Sequence, residues 1–395
     1  MLPERRNRIL TTHVGSLIRP DDFVAILENK EAGAPYNEAA YARLLAKSVA
    51  DVVRQQTEVG LDIVSDGEFG KTMSWSRYIQ SRLSGFAYRP RRDTGGLKPG
   101  EVVGMGTDRR RFPEFYAEYD VTQNLHIPLV DAVCVAPVTY IGQAEIQRDI
   151  ANFKTALART GDTVAGFLPL VAPGSAIPLP VLEHYTSDEE FVFAIADALH
   201  EEYQAVIDAG LFLQVDDAFL PYLYDRMVPP MTLLDYRKWA QVRIAATNHA
   251  LRGIPEDKVR YHICWGSWNA PHTGDLPLED IVDLILTLNV GGFSIEAANP
   301  RHEHEWTVWE DVALPEGRVL IPGVVAHTTN VVEHPELVAQ RLVRYAKLVG
   351  RENVMGGTDC GFAQGPFVRR VHPSIQWAKL AALVEGARIA TKKLW

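Results

Sequence analysis

Short apolar runs with sharp polar ends recur along the chain. Between them lie longer stretches whose apolar residues return every three to four positions. The first pattern predicts buried strands and the second amphipathic helices. Strands are predicted over residues 9–15, 62–65, 164–171, 211–215, 259–264, 292–296, 318–325 and 354–358. Helices are predicted over 41–59, 151–159, 188–209, 232–251, 278–288, 335–348 and 374–391. Residues 132–141 read as an accessory hairpin. Strand and helix alternate for most of the chain, which predicts a parallel sheet. Eight such units predict an α/β fold of the (β/α)8 TIM-barrel class. A segment at 86–128, rich in Arg, Gly and aromatics, reads as an insertion after the second strand. It is expected to serve as a lid or as the contact of a homo-oligomer. A doubly wound sheet that binds a dinucleotide needs a glycine-rich phosphate turn after its first strand, and Gly15-Ser16-Leu17 is not one. No repeat or linker divides the chain, so residues 1–395 are expected to form one domain.

The 395 residues, 47% hydrophobic, suffice for a large core. A net charge of −10 and the lack of a long Lys/Arg block exclude nucleic acid and anionic membranes as expected partners. Arg109-Arg110-Arg111 reads as a solvated loop. The start, residues 1–10, is charged and lacks the apolar stretch of a signal peptide, and no run approaches a membrane span. Three cysteines make a disulfide framework a poor fit. The expected compartment is the cytoplasm.

Two of those cysteines carry the chemistry. His262-Ile263-Cys264 closes an apolar run, and residues i and i+2 of a strand share a face, so His262 and Cys264 can grip one ion. Gly292-Phe293-Ser294-Ile295-Glu296 and Gly356-Gly357-Thr358-Asp359-Cys360-Gly361 each end a predicted strand in a further ligand type. Two thiolates, an imidazole and a carboxylate form a zinc set with one ligand weak enough to be displaced. A bound cation holds an incoming thiol as thiolate at neutral pH, which gives a sulfur nucleophile suited to an alkyl group. A purely structural zinc site normally uses Cys and His in all four places, and Glu296 speaks against that alternative. Ser16, Glu68, Asp216, Cys264, Glu296 and Cys360 all fall at strand ends, the active face of a barrel.

These motifs resemble the cobalamin-independent methionine synthase family, in its catalytic half and its single-barrel relatives. Thr11-Thr12-His13-Val14-Gly15-Ser16 resembles the family's opening Thr-Thr-x-x-Gly-Ser. Asp62-Ile63-Val64-Ser65-Asp66-Gly67-Glu68 resembles its second-strand motif, and Gln214-Val215-Asp216-Asp217 its Gln-Ile-Asp-Glu. His262-x-Cys264, Ser294-Ile295-Glu296 and Asp359-Cys360-Gly361 match its metal motifs. The resemblance spans nearly the whole chain in order. It implies zinc at His262, Cys264, Glu296 and Cys360, and homocysteine binding by Ser16, Glu68 and Asp216. The implied reaction is methyl transfer to homocysteine, giving methionine, and the related uroporphyrinogen decarboxylase fold is implied too. Two carboxylates suit an ammonium group, and backbone donors around Gly15-Ser16 suit a carboxylate.

The departures concern the donor. The family's folate site uses a Trp after a Gly-Pro-Val-Thr turn. Here Ala172-Pro173-Gly174-Ser175 is followed by Ile177-Pro178-Leu179-Pro180 with no Trp. An Arg-Cys pair reads Val133-Cys134, and the folate-binding N-terminal half is absent. A polyglutamyl folate is therefore expected to be a poor donor. Gly323-Val324-Val325-Ala326-His327 places His327 one position early relative to the family's proton donor. A one-residue shift reverses the face of a strand, so His327 as the catalytic acid requires a kink there. His272, His302 and His304 read as polar loop residues near the metal, and Trp265 and Trp268 as walls of an apolar alkyl pocket. The competing activity is thiol addition to an epoxide, as in epoxyalkane:coenzyme M transferases. Its sulfonate-bearing thiol would call for basic residues in the site.

Overall fold

The computed structural model describes residues 7–32, 34–90, 106–122, 130–161 and 164–395. Eight strands form the barrel: β1 Leu10–Thr11, β2 Ile63–Val64, β3 Ala165–Val171, β4 Phe212–Asp217, β5 Val259–Ile263, β6 Gly292–Glu296, β7 Val319–Val325 and β8 Met355–Thr358. Every pairing among them is parallel, in the order β1-β8-β7-β6-β5-β4-β3-β2. The two ends of that order meet at a seam made by few backbone groups. Asp62 N donates to Thr11 O at 3.1 Å. The Asp62 carboxylate adds to it by accepting from Thr11 N at 2.8 Å and from Thr11 Oγ1 at 3.1 Å.

Helices between the strands start and stop where their end residues dictate. Glu38–Val59 begins after Asn37, whose side chain accepts from Ala40 N, and ends at Gly60 in the left-handed region, φ 99°. Ser187 and Thr232 cap Asp188–Asp208 and Leu233–Ala250 in the same way. The helix expected over 278–288 is broken into a turn, Leu278–Asp280, and a short helix, Val282–Ile285. Its first N–H, at Leu278, is taken by Glu305 Oε1 at 2.7 Å, so the turn is tied to the loop after β6.

A second, three-stranded sheet flanks the barrel. Phe86–Pro90 pairs antiparallel with Val130–Cys134, which pairs in parallel with Val181–Leu182. The hairpin expected over 132–141 is therefore different in kind, because Val130–Cys134 pairs with the near edge of the insertion. Val135 N and Ala136 N turn onto Gly85 O and end the strand. Residues 91–105 and 123–129 of the expected insertion lie outside the described residues. The part between them forms the helices Thr107–Arg111 and Pro113–Thr122. The arginine cluster is thus helical, and Arg109 is no solvated side chain. It pairs with Asp120 at 2.7 Å and lies 4.4 Å over the Tyr116 ring. The sequence offered no view of Asp120 folding back upon it.

Inside the barrel the layers change character from bottom to top. Leu10, Ile63, Phe167, Phe212, Ile321 and Met355 plug the N-terminal end. Each such side chain contributes about 1.5–3 kcal/mol by leaving water. Next comes a polar layer around Arg260, 1% exposed, whose guanidinium lies 3.6 Å over the Phe167 ring. It donates to Gln214 Oε1 at 2.7 Å, Thr12 Oγ1 at 2.8 Å and His13 O at 2.7 Å. The mouth lies above this layer.

Candidate active site at the barrel mouth

The strand ends deliver the expected side chains to one place. Asp216 stands opposite His262 in the β4–β5 pairing, and Ser294 is opposite His262 in the β5–β6 pairing. The ligand atoms of His262, Cys264 and Cys360 all lie within 4.8 Å of one another. The two sulfurs are 3.6 Å apart. A tetrahedral zinc with Zn–S bonds of about 2.3 Å would space two thiolates by about 3.8 Å. His262 Nδ1 is 3.1 Å from Ser294 Oγ, and its Nε2 is buried with no partner among the described residues. An orphaned imidazole nitrogen beside two unbonded thiols fits a metal ion of the zinc type. The contact with Cys360, and then burial, push the Cys264 thiol well above its ordinary value, so its ionisation calls for a cation. Burial lowers His262 to about 4, which keeps its ring neutral and fit to ligate.

Glu296 stands outside that triangle. Its Oε1 accepts from Trp265 N at 3.0 Å and its Oε2 from Asn299 Nδ2 at 2.6 Å. Asp359 ties the two halves together: its Oδ1 accepts from Ala297 N at 2.7 Å and Ala298 N at 2.9 Å. The loop after β6 is thereby fixed to the residue that precedes Cys360.

Ser16, Glu68 and Asp216 line the same cavity as His262, Cys264 and Cys360, a space of about 420 Å³. Gly15 has φ 138°, and a Cβ there would meet Glu68 Oε1 at 2.9 Å, so only glycine lets the β1 turn pass beneath Glu68. Glu68 itself is left-handed, φ 62°, and its carboxylate is held by Lys71 Nζ at 3.2 Å. Burial pushes the Asp216 carboxyl up to about 7, with the Glu68 charge adding to the rise and His262 opposing it. Gln214 Nε2 donates to Asp216 Oδ1 at 2.6 Å, and Arg260 holds Gln214 in turn. Two carboxylates fixed from behind face one cavity, the arrangement that receives a cationic group.

The upper walls are aromatic and cationic. Trp75, Phe219, Tyr222 and Trp268 line the cavity in an unbroken series, with centroid separations of 5.7, 5.8 and 4.5 Å. Of the two tryptophans expected there, only Trp268 takes that place. Trp265 is fully buried, stacks on His302 at 4.1 Å and donates to Leu276 O at 2.6 Å. Arg77, Arg109, Arg226 and Arg370 bring four guanidinium groups to the lining.

The loop histidines are more organised than their sequence context implied. His302 Nε2 is 3.1 Å from Asp275 Oδ2 and its Nδ1 is 2.8 Å from Glu305 Oε2. Although burial opposes it, the two carboxylates raise His302 to about 10. His272 shares Asp275 at 3.0 Å. The kink required for His327 is present, since the β7–β8 register slips between Gly323 and Val325. His327 is 2% exposed, neither ring nitrogen has a partner among the described residues, and burial holds it well below its ordinary value. Lys71, Arg260, Trp75 and the Asp275 network were not singled out from sequence. Arg260 alone carried a signal: it shares strand parity with His262 and Cys264 inside an apolar run.

A parallel barrel that gathers two thiols and an imidazole at its strand ends is a barrel with a soft-metal ligand set. The profile of the family described as cobalamin-independent synthase, catalytic domain, matches residues 116–382, and the chain belongs to that family. A 2-hydroxypropyl-CoM lyase of Xanthobacter autotrophicus is 24% identical over 383 residues, covering 90% of this chain and 88% of that protein. A methionine synthase of Thermococcus kodakarensis is 22% identical over 389 residues, covering 97% and 94%. The fold is similar to that of a B12-independent methionine synthase from Shewanella sp. W3-18-1 in complex with selenomethionine. There the TM-score is 0.70 at 20% identity, with 98% of this chain and 99% of that chain covered. No described helix is long and apolar enough to cross a membrane.

Proposed function

We propose that the protein is a zinc-dependent thiol alkyltransferase, with methyl transfer to homocysteine as its reaction. The observation that carries this reading is the convergence of His262, Cys264 and Cys360 within 4.8 Å, around an imidazole nitrogen with no other partner among the described residues. These three residues would hold the ion, and Glu296 would be the fourth ligand if its carboxylate were released from Trp265 N. Bound there, zinc supplies a positive charge that keeps an acceptor thiol ionised at neutral pH. Glu68 and Asp216 would receive the acceptor's ammonium group, and Ser16 its carboxylate end. Lys71 and Gln214 keep those two carboxylates oriented. The apolar wall from Trp75 to Trp268 would seat the alkyl donor and exclude water. We take residues 1–395 as one domain, with the described insertion helices as its lid.

A second reading, addition of a sulfonate-bearing thiol to an epoxide, draws support from a specific feature. Arg77, Arg109, Arg226 and Arg370 all line the cavity, and guanidinium groups are what a sulfonate requires. One experiment separates the two. Zinc-loaded protein is mixed with homocysteine or with coenzyme M, and metal–sulfur ligation is followed by X-ray absorption. A new sulfur ligand with homocysteine alone supports the first reading, and one with coenzyme M alone supports the second. No new sulfur ligand with either thiol rules out thiol activation at this site.

A further inference from the structure

We propose that His272 gives the leaving atom of the alkyl donor its proton. The inference rests on the thiol alkylation proposed above and holds for either acceptor.

Three features of His272 point to this role. Its ring lines the cavity that contains Cys264 and Cys360. Its two nitrogens meet acceptors only: Nδ1 is 3.0 Å from Asp275 Oδ2, and Nε2 is 3.0 Å from Trp268 O. A carboxylate and a backbone carbonyl can only accept, so both nitrogens carry hydrogen and the ring is an imidazolium. Its backbone sits at φ 53°, a left-handed conformation that strains a non-glycine residue. The ring is stacked on Trp268 at 5.1 Å and 20°, so the strained backbone and the stack aim it together.

The charges around the ring agree. Asp275 faces it directly, with His302 behind that carboxylate. Asp108, on the insertion helix, grips the next residue through Thr273 N at 2.9 Å. Glu296 acts on His272 through space and favours its proton. Burial, the largest single influence, opposes the charged form, and Asp275, the Trp268 carbonyl and Glu296 together outweigh it. His327 is the rival, yet it is buried, is not among the residues that line that cavity, and is held neutral by burial, with the charge of Arg370 adding to it. A neutral imidazole N–H is a far weaker acid than an imidazolium.

The two bonds of His272 are unequal. Nδ1–H is held by a carboxylate, and Nε2–H by a neutral carbonyl. Nε2–H can exchange that carbonyl for a substrate atom in the cavity. In the transfer, the electron pair of the acceptor sulfur forms the new sulfur–carbon bond. The bond from that carbon to the leaving nitrogen or oxygen breaks, and its pair stays on the leaving atom. That atom takes the Nε2 proton. His272 is left as neutral imidazole and regains a proton from solvent.

The test compares donors whose leaving atoms need a proton with one whose leaving atom does not. Zinc-loaded wild type, His272→Gln and His327→Gln are given homocysteine or coenzyme M. The donors are 5-methyltetrahydrofolate triglutamate, epoxypropane and methyl iodide; the iodide departs without a proton. Metal content is measured in each variant. His272→Gln should slow the proton-requiring donor by about 10²–10⁴-fold more than it slows methyl iodide, the range for a lost general acid. His327→Gln should affect both donor classes alike. Asp275→Asn serves as the second variant, and its rate should fall off at lower pH than in wild type because the imidazolium loses its anionic partner. Equal loss on both donor classes in His272→Gln, an unmoved alkaline limb in Asp275→Asn, or the selective loss appearing in His327→Gln overturns the assignment. So does a wild type that uses methyl iodide and neither other donor. A wild type that alkylates no thiol with any donor sinks the proposed function itself, and this role with it.

Discussion

At the scale of single residues, the site is a set of groups that are costly to bury alone. Cys264 holds its proton more tightly because Cys360 lies beside it and because it is buried, and His262 Nε2 has no partner among the described residues. A metal ion offsets both costs. Cys264→Ser and Cys360→Ser should therefore each lose bound zinc, read by metal analysis, while circular dichroism shows a folded barrel. Cys134→Ser should keep the metal, because Cys134 sits on the flanking sheet with its thiol turned to Ala136 O at 3.5 Å. Asp216→Asn should weaken homocysteine binding by about 1–3 kcal/mol, the range for a lost charge-assisted bond. It should hardly change the affinity for thiols without an amino group, and equal losses for both would contradict an ammonium site. His302 gives a pH prediction whose sign follows from its raised value. Folded, it holds its proton to about 10, against 6.5 for the ordinary group. Its contribution to stability is full below about 6.5 and is lost as the pH rises through about 10. The difference in Tm between wild type and His302→Gln should shrink over that window. A difference that stays level there would mean that the ring is neutral in the folded protein.

At the scale of elements, the barrel depends on strands that are hardly strands. β1 and β2 have two residues each, and the seam between them is finished by a side chain. The Asp62 carboxylate receives Thr11 N, Thr11 Oγ1 and the Arg8 guanidinium, the last at 2.6 Å. Asp62→Ala should cost about 2 kcal/mol in urea unfolding, since a charged acceptor is lost and a part-buried N–H is orphaned. Asp62→Asn, which keeps an acceptor oxygen, should cost less. Strand parity and strand ends explain what the sequence allowed one to read. His262, Cys264 and Cys360 converge because i and i+2 share a face and parallel strands end together. The same logic placed Ser16, Glu68 and Asp216 on the cavity. Lys71 beneath Glu68, Trp75 beside Phe219 and Asp275 between two histidines depend on how loops from different strands fold over one another. No local period encodes such contacts. The expected helix at 278–288 breaks at Ile281, whose φ of −136° is not helical, and Glu305, in the loop after the next strand, caps the turn before it.

At the scale of the whole molecule, the proposed reading has the barrel strands hold the acceptor thiol and the loops seat the donor. The stretch that matches the family's folate turn is used for packing here. Ser175 is fully buried and donates to Asp217 Oδ1 at 2.6 Å, and a Cβ on Gly174 would collide with the Arg243 side chain. The wall proposed for the donor is instead Trp75, Phe219, Tyr222 and Trp268, which line the cavity with Tyr116 and Tyr119 of the insertion helices. One clasp between those helices and the barrel loops is Asp108. Asp108 accepts from Thr273 N at 2.9 and 3.1 Å and also from Thr273 Oγ1, and its own N–H donates to Asp225 Oδ1 at 3.3 Å. The clasp closes on the loop that carries His272, so it couples the cover of the cavity to its catalytic wall. Asp108→Ala should then raise the KM for the alkyl donor and lower kcat/KM by about tenfold or more, the effect of about 1.4 kcal/mol at the transition state. Zinc content and the affinity for the acceptor thiol should stay near the wild-type values, because Ser16, Glu68, Asp216 and the three metal-site residues lie on barrel strands and their ends. A variant that loses zinc, or loses acceptor and donor affinity together, would show that the insertion braces the barrel itself rather than covering the donor.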